Sequence, residues 1–141
     1  MDFRRLLIAA VMAVALGATL AWLQSSFDKG DLSRAMALLD DTRPPAPGSP
    51  SLQEALAQRQ GHPPACDATI TQGCRGIVQI RCQGEAGKGD YLFDADLARR
   101  PPVLHPANPR AQELMVELFR RSGVSPSPQG EVPVVKVDGG R

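Results

Sequence analysis

Three cysteines are the residues of this chain best suited to chemistry, and they stand eight residues apart at Cys66, Cys74 and Cys82. The intervening segment 76–81, GIVQIR, is β-branched and bounded by glycine, which is typical of a strand. If that segment is extended, Cys74 and Cys82 lie about 26 Å apart at about 3.3 Å per residue, beyond the reach of a disulfide. The spacing therefore excludes a Cys74–Cys82 bond.

The favoured disulfide joins Cys66 and Cys82. If residues 67–70 form a strand antiparallel to residues 77–81, the turn between them centres near Cys74 and Cys66 falls opposite Cys82. We predict this bond, with Cys74 as a free thiol at an exposed tip. A Cys66–Cys74 bond that closes a small loop is the competing arrangement. The odd thiol is either inert, or it serves an intermolecular bridge or a redox reaction.

The remaining polar residues form no catalytic or metal-binding motif. Structural zinc sites place their ligands in pairs two to four residues apart, and neither the cysteines nor His62 and His105 follow that spacing. Asp94 and Asp96 lack the rest of a calcium-loop series and are typical of solvated turn charges. We expect no enzyme activity, no cofactor, no metal and no small-molecule substrate.

An apolar segment at residues 6–23, LLIAAVMAVALGATLAWL, lies before all the helices and strands that could position the cysteines and the polar side chains. Eighteen residues at about 1.5 Å rise give roughly 27 Å of helix, close to the thickness of the bilayer core. Arg4 and Arg5 stand before the segment and favour an inside N-terminus. The lipid bilayer is therefore the first expected partner.

We interpret the segment as a retained signal-anchor. It is longer than the apolar core of a signal peptide, and Trp22 suits the headgroup region of a membrane. Residues 1–5 would be a cytoplasmic N-terminus, and residues 24–141 would be exported from the inner (cytoplasmic) membrane into the periplasm. Cleavage near residues 15–18, which would release a secreted domain, is the alternative.

The composition of the exported portion bounds its size and partners. About 118 of the 141 residues follow the anchor, enough for one small domain. The chain holds 16 basic and 15 acidic residues without a long block of either sign, so no nucleic-acid surface is indicated. Aromatic residues are few, and a disulfide in an oxidising compartment would compensate for a modest core.

Residues 24–61 form a juxtamembrane region that begins with a short helix. Asp31 or Ser33 is available as its N-cap, and the spacing of five apolar residues builds one face: Leu32, Ala35, Met36, Leu38 and Leu39. The proline-rich segment 44–50, PPAPGSP, ends the helix and predicts a stiff, extended linker.

A second short helix follows the linker. Ser51 and Glu54 match the capping-box pattern, in which each side chain binds the other residue's backbone N–H. Gly61 offers a C-terminal stop. Because its apolar stripe is narrow, we expect this helix to be stabilised by packing against the domain or a partner.

Residues 62–141 are predicted to be an α+β domain of order β-β-α-β. Residues 76–82 form the first strand, and residues 91–94 return as an antiparallel partner after a flexible turn. Residues 99–109 hold four prolines and are expected to be an extended connection. The final strand is VPVVKV at 132–137.

The best helix of the chain begins at Asn108 and Pro109, which are favoured as N-cap and first helical residue. Gly123 suits its C-terminal end. Its buried face is predicted from the spacing of Ala111, Leu114, Met115, Leu118 and Phe119.

The segment 132–139, VPVVKVDG, resembles the cis-proline strand of the glutaredoxin and thioredoxin families, and a helix precedes it as it does there. The Cys-x-x-Cys motif of those families is absent, since Cys82 is followed by Gln-Gly-Glu. The alternative function is that of an exported thiol-active protein, which acts through Cys74, or through Cys82 in a divergent thioredoxin-like half-domain.

Together these patterns predict a single-pass membrane protein that acts by binding. It would be an accessory or scaffold subunit that presents a small disulfide-stapled domain to an envelope complex. An edge strand, such as the one starting at Val134, would dock the envelope protein by strand addition.

Overall fold

The computed structural model describes residues 3–123. Within that range the elements are α1 (Phe3–Asp41), α2 (Leu52–Gln60), β1 (Cys66–Gln72), β2 (Ile77–Cys82), β3 (Tyr91–Asp96), β4 (Val103–Pro106) and α3 (Pro109–Arg121). A single 3-10 turn, Gly73–Arg75, joins β1 to β2. The chain divides into two compact units inside α1, one ending at Gly30 and the other beginning at Asp31.

The first unit is an apolar helix whose large side chains are exposed all around its axis. Successive side chains on a helix point about 100° apart, and the exposed apolar side chains here are found on all sides of the helix axis. They are Phe3, Leu6, Leu7, Ile8, Val11, Met12, Val14, Leu16, Leu20, Trp22, Leu23 and Phe27. By length and composition this helix can cross a membrane.

The expected start of a separate juxtamembrane helix is wrong, because α1 continues without a break to Asp41. Asp31 is inside the helix and forms an ion pair with Arg34, at 3.5 Å between carboxylate oxygen and guanidinium nitrogen. One glycine, Gly30, costs a helix only about 1 kcal/mol relative to alanine and does not stop it. The predicted apolar face is nevertheless used: Ala35, Leu38 and Leu39 are buried.

The segment 44–50 is not the extended linker that its prolines predicted. The Ser49 N–H donates to the Ala46 carbonyl at 3.2 Å, and Gly48 between them has a φ of +75°, so the chain turns there. Pro44 is fully buried. The Leu52 N–H donates to the Thr42 carbonyl at 2.8 Å, which ties the two ends of the segment together.

Helix α2 begins and ends where its local signals predicted. Ser51 accepts from the Glu54 N–H, and the Glu54 carboxylate accepts from the Ser51 N–H, so the capping box is confirmed. Gly61 closes the helix with a φ of +74°. Leu52 and Leu56 are fully buried, and their contacts with the core supply the support that so short a helix needs.

The four strands form one antiparallel sheet in the order β1-β2-β3-β4. One face is buried under the helices and the other is polar and partly exposed, as is usual for antiparallel sheets. The core residues of the second unit are Ala35, Leu38, Leu39, Leu52, Leu56, Val78, Ile80, Cys82, Tyr91, Phe93, Ala95, Leu97, Leu104, Ala111, Leu114, Met115, Leu118 and Phe119.

Helix α3 packs on β3 and β4 with the face that the sequence predicted. The Asn108 side chain caps it by accepting from the Ala111 N–H, and Pro109 occupies the first turn. Gly123 follows the helix with a φ of +74°. These local predictions are confirmed.

The α+β class is confirmed, but the predicted order β-β-α-β is wrong. Four strands precede α3, because β1 pairs with β2 and the proline-rich connection contains β4. In β4 the alternation of Val103, Leu104 and His105 buries Leu104. Pro106 is tolerated because β4 lies at an edge of the sheet that the described residues form. The predicted strand 132–137 lies outside the described residues.

Candidate binding surface

The Cys66–Cys82 disulfide joins the ends of β1 and β2, with 2.06 Å between the sulfurs. The two cysteines are paired in the strand register, and their Cα atoms are 4.0 Å apart. The next facing pair, Ala65 and Gln83, is hydrogen-bonded, because the Gln83 N–H donates to the Ala65 carbonyl at 2.9 Å. The cysteines thus occupy a non-hydrogen-bonded pair, where antiparallel strands approach most closely. The predicted bond is the one that forms.

The third thiol, Cys74, is free and exposed. It lies in the 3-10 turn between β1 and β2, at the opposite end of the two strands from the disulfide. Its neighbours Gly73 and Arg75 are also exposed. The structure therefore separates the reagent-accessible thiol from the bonded pair.

Within residues 3–123, strand β1 has an open edge. Among residues 3–123 its neighbour in the sheet is β2, on one side. Backbone groups alternate in direction along an antiparallel strand, and the bond to Ala65 fixes that alternation. The N–H and C=O groups of Cys66, Ala68 and Ile70 consequently point away from β2. These three residues, with their outward backbone groups, are called the β1 edge below.

The other edge of the sheet is blunted by proline. The Ala107 N–H donates to the Leu92 carbonyl at 2.8 Å. The backbone groups of His105 and Val103 therefore also point toward β3, while those of Leu104 and Pro106 point away from it. Pro106 has no N–H to offer, and such residues protect sheet edges from pairing. Of these two edges, the β1 edge is therefore the one whose backbone groups can pair with an added strand.

The side chains of the β1 edge continue the apolar face of the sheet. Cys66, Ala68 and Ile70 pack against the core but remain partly exposed, whereas Val78 and Ile80 of β2 are fully covered. The layer of helices thus covers this face of β2 completely and that of β1 only in part. An added strand would cover the same three side chains.

The opposite face of β1 is polar. Asp67, Thr69 and Thr71 are exposed there, so apolar and polar residues alternate cleanly along the strand. The Arg81 guanidinium lies between two carboxylates, 3.8 Å from Asp67 and 3.7 Å from Asp90. The charge of Asp67 is thereby partly balanced within the sheet.

A polar network ties the turn after β2 to the helices. Tyr91 is fully buried, and its hydroxyl donates to the Glu85 carboxylate at 3.2 Å. Arg110 donates to the same hydroxyl oxygen at 2.8 Å, also pairs with Glu85, and stacks 4.6 Å above the ring centroid. Arg59 of α2 donates to Glu117 of α3 at 2.7 Å. Each charge has a partner, which indicates a structural role.

The network predicts an acid-sensitive contribution to stability from Glu85. Its pKa is held below the ordinary value by its own backbone N–H, against a smaller opposing effect of burial, and then by Arg110. A lowered pKa in the folded state stabilises the fold above the unfolded pKa and is lost as pH falls through the folded pKa. Urea unfolding from pH 7 down to about pH 3 should therefore show a smaller loss of stability for Glu85→Gln than for the wild type.

Glu113→Gln is the matched control, since Glu113 is an exposed carboxylate on α3. This variant keeps Glu85, so its loss of stability on acidification should remain larger than that of Glu85→Gln. Identical acid limbs for Glu85→Gln and the wild type would contradict the prediction.

The other sequence candidates are not assembled into a reactive site. His62 is exposed and its Nδ1 lies 3.0 Å from the Pro63 carbonyl oxygen. Asp94 and His105 are cross-strand neighbours on the polar face of the sheet. In the part of the chain that the structure describes, no group of three or more His, Cys, Asp or Glu residues could hold a metal ion.

The β1 edge is a surface that the sequence patterns above do not predict. A usable signal exists, since residues 65–72 hold no proline whereas residues 101, 102 and 106 are prolines.

Comparison of the chain with protein-family models, curated proteins and solved structures finds no match. The geometry of the chain itself is thus the basis on which a function is argued.

Proposed function

We propose that this chain is a membrane-anchored accessory or scaffold subunit of an envelope complex. Its N-terminal helix stays in the inner membrane, and its α+β unit faces the oxidising, exported side. There the unit docks extended protein segments at the β1 edge. Binding of protein, rather than catalysis, is its task.

The observation that carries the proposal is the exposed apolar helix on a chain whose folded unit is closed by a disulfide. A helix that is apolar on every face has no stable place in water. Disulfides persist on the exported side of a membrane and are rare in the cytosol. One chain with both features fits an anchor with an exported domain.

The β1 edge supports docking by strand addition. In that mode the main-chain groups of an edge strand give affinity, and alternate side chains give specificity. The edge offers three outward N–H and C=O pairs beside a partly exposed apolar strip. Proteins normally blunt such an edge with proline or charge, as β4 does here with Pro106.

Thiol labelling tests the topology. We expect a membrane-impermeant maleimide to label Cys74 in intact spheroplasts. Phe3→Cys in a Cys74→Ser background is the matched variant, and its thiol should react only after lysis. The intact mass of the purified protein should match the full 15.1 kDa chain.

Two results would overturn the proposal. One is labelling of Cys74 only after lysis, which would place the α+β unit inside the cell. The other is a mature chain that lacks the apolar segment, which would make the protein a secreted domain. Crosslinking in the intact envelope then identifies the proteins that lie at the β1 edge.

A further inference from the structure

We infer that the β1 edge pairs with the β1 edge of a second copy of this chain, antiparallel, with Ala68 opposite Ala68 of the second copy. This inference deepens the proposed function, on which it rests, by naming the partner of the edge. Two four-stranded sheets would join into one eight-stranded sheet around a two-fold axis.

The hydrogen-bonding groups of the edge are self-complementary in this register. Ala68 lies midway between Cys66 and Ile70, and all three direct their N–H and C=O groups outward. With Ala68 on the axis, Cys66 of each copy faces Ile70 of the other. Each of the three facing pairs can exchange two hydrogen bonds, as hydrogen-bonded antiparallel pairs do.

Neighbouring registers satisfy fewer of these groups. A two-residue shift in one direction places Ile70 opposite Pro64, which has no N–H, and Asp67 opposite Asp67 of the second copy. A two-residue shift in the other direction places Cys66 opposite Gln72, beyond the bulge between Ile70 and Gln72 where the ladder is irregular. A shift by a single residue turns the apolar side chains to the wrong face. The Ala68-centred register is the best of these.

The charges of the polar face favour the antiparallel arrangement. Asp67 faces Thr69 of the second copy, so no two carboxylates stand opposite each other. In-register parallel pairing would instead place Asp67 beside Asp67 of the second copy, and like charges at such positions are destabilising. Arg81, 3.8 Å from Asp67, further reduces the repulsion.

Burial and confinement supply the driving force. The partly exposed side chains of Cys66, Ala68 and Ile70 would be covered by the same three residues of the second copy. One strand pair buries less area than a free dimer in solution needs. Anchoring in one membrane raises the effective concentration of each edge for the other, which compensates for the small interface.

Co-purification of two differently tagged full-length chains in mild detergent tests the inference. Ile70→Lys in both chains places a charge on the apolar side of the edge and should lower recovery of the second tag at least tenfold. Thr69→Lys is the matched control on the same strand. Its side chain lies on the polar face, opposite Asp67 of the second copy, so recovery should be unchanged or higher.

Ala68→Pro is the second variant, because it removes an outward N–H without adding charge and leaves the β1–β2 bonds in place. It should also abolish recovery while the Cys66–Cys82 disulfide still forms. Equal recovery for wild type, Ile70→Lys and Ala68→Pro would overturn the inference, since association would then involve another surface. So would equal loss with Ile70→Lys and Thr69→Lys.

The proposed function and this inference fail in different experiments. Loss of an envelope crosslink in Ile70→Lys, without any recovery of the second tag from wild type, overturns self-pairing and leaves the anchored docking subunit intact. A Cys74 thiol that is labelled only after lysis overturns the proposed function, whatever the tags show.

Discussion

Loss of the Cys66–Cys82 disulfide is expected to lower the free energy of unfolding of the α+β unit by about 3 kcal/mol. The bond closes a loop with a sequence separation of 16. Cross-linking a loop of about that length removes roughly 3 kcal/mol of chain entropy from the unfolded state. Urea unfolding of the full chain in detergent, compared with the Cys66→Ala/Cys82→Ala variant, measures the difference.

Cys74→Ser is the control for a general effect of removing a thiol. Cys74 is exposed and unbonded, so this variant should unfold at the wild-type urea concentration. Chemical reduction should destabilise the wild type and Cys74→Ser alike, and should have no effect on the doubly substituted variant. Coincident unfolding curves for reduced and oxidised wild type would contradict the prediction.

The disulfide matters this much because the core is small and sparsely aromatic. Its three aromatic residues are Tyr91, Phe93 and Phe119. Small domains rarely draw more than a few kcal/mol from one hydrophobic core, so a single cross-link is a large share of the total. The bond also lies at the end of the β1 edge, and its loss should loosen the strand that we propose as the docking surface.

The elements that could be predicted from the sequence are those specified by neighbouring residues. Ser51 and Glu54 define the start of α2, and Asn108 with Pro109 defines the start of α3, through contacts within one helical turn. Such signals require no knowledge of the rest of the fold. The disulfide prediction needed more, because it assumed two antiparallel strands and left a Cys66–Cys74 bond as the competing arrangement.

Features that depend on distant contacts could not be predicted. Strand β4 lies in a proline-rich segment and is stabilised by β3, with Leu104 opposite Ala95. The continuity of α1 through Gly30 and the burial of Pro44 likewise depend on their surroundings. The open β1 edge within residues 3–123 also depends on such contacts, because it follows from which backbone groups β2 engages, and the lack of proline in residues 65–72 is its one local signal.

Replacement of Asn108 by alanine is expected to cost about 2 to 3 kcal/mol, although the side chain is only half-buried. Its Oδ1 accepts from the Ala111 N–H at 2.9 Å and from the Leu92 N–H at 3.2 Å, and its Nδ2 donates to the Asp90 carbonyl at 2.8 Å. A lost N-cap costs about 1 kcal/mol and each further hydrogen bond about 1 kcal/mol. Urea unfolding of Asn108→Ala against the wild type measures the sum.

Asn108→Asp separates the two bonds that Oδ1 accepts from the one bond that Nδ2 donates. A carboxylate keeps the acceptor for Ala111 and Leu92 and favours the helix N-terminus, but it cannot donate to the Asp90 carbonyl. We expect this variant to lose about 1 kcal/mol, less than half of the alanine effect. Amide exchange should show Leu92 and Ala111 protected in Asn108→Asp and exposed in Asn108→Ala. Equal losses for the two variants would show that Asn108 acts through its amide donor alone, and that the link between β3 and the start of α3 does not depend on the shared acceptor.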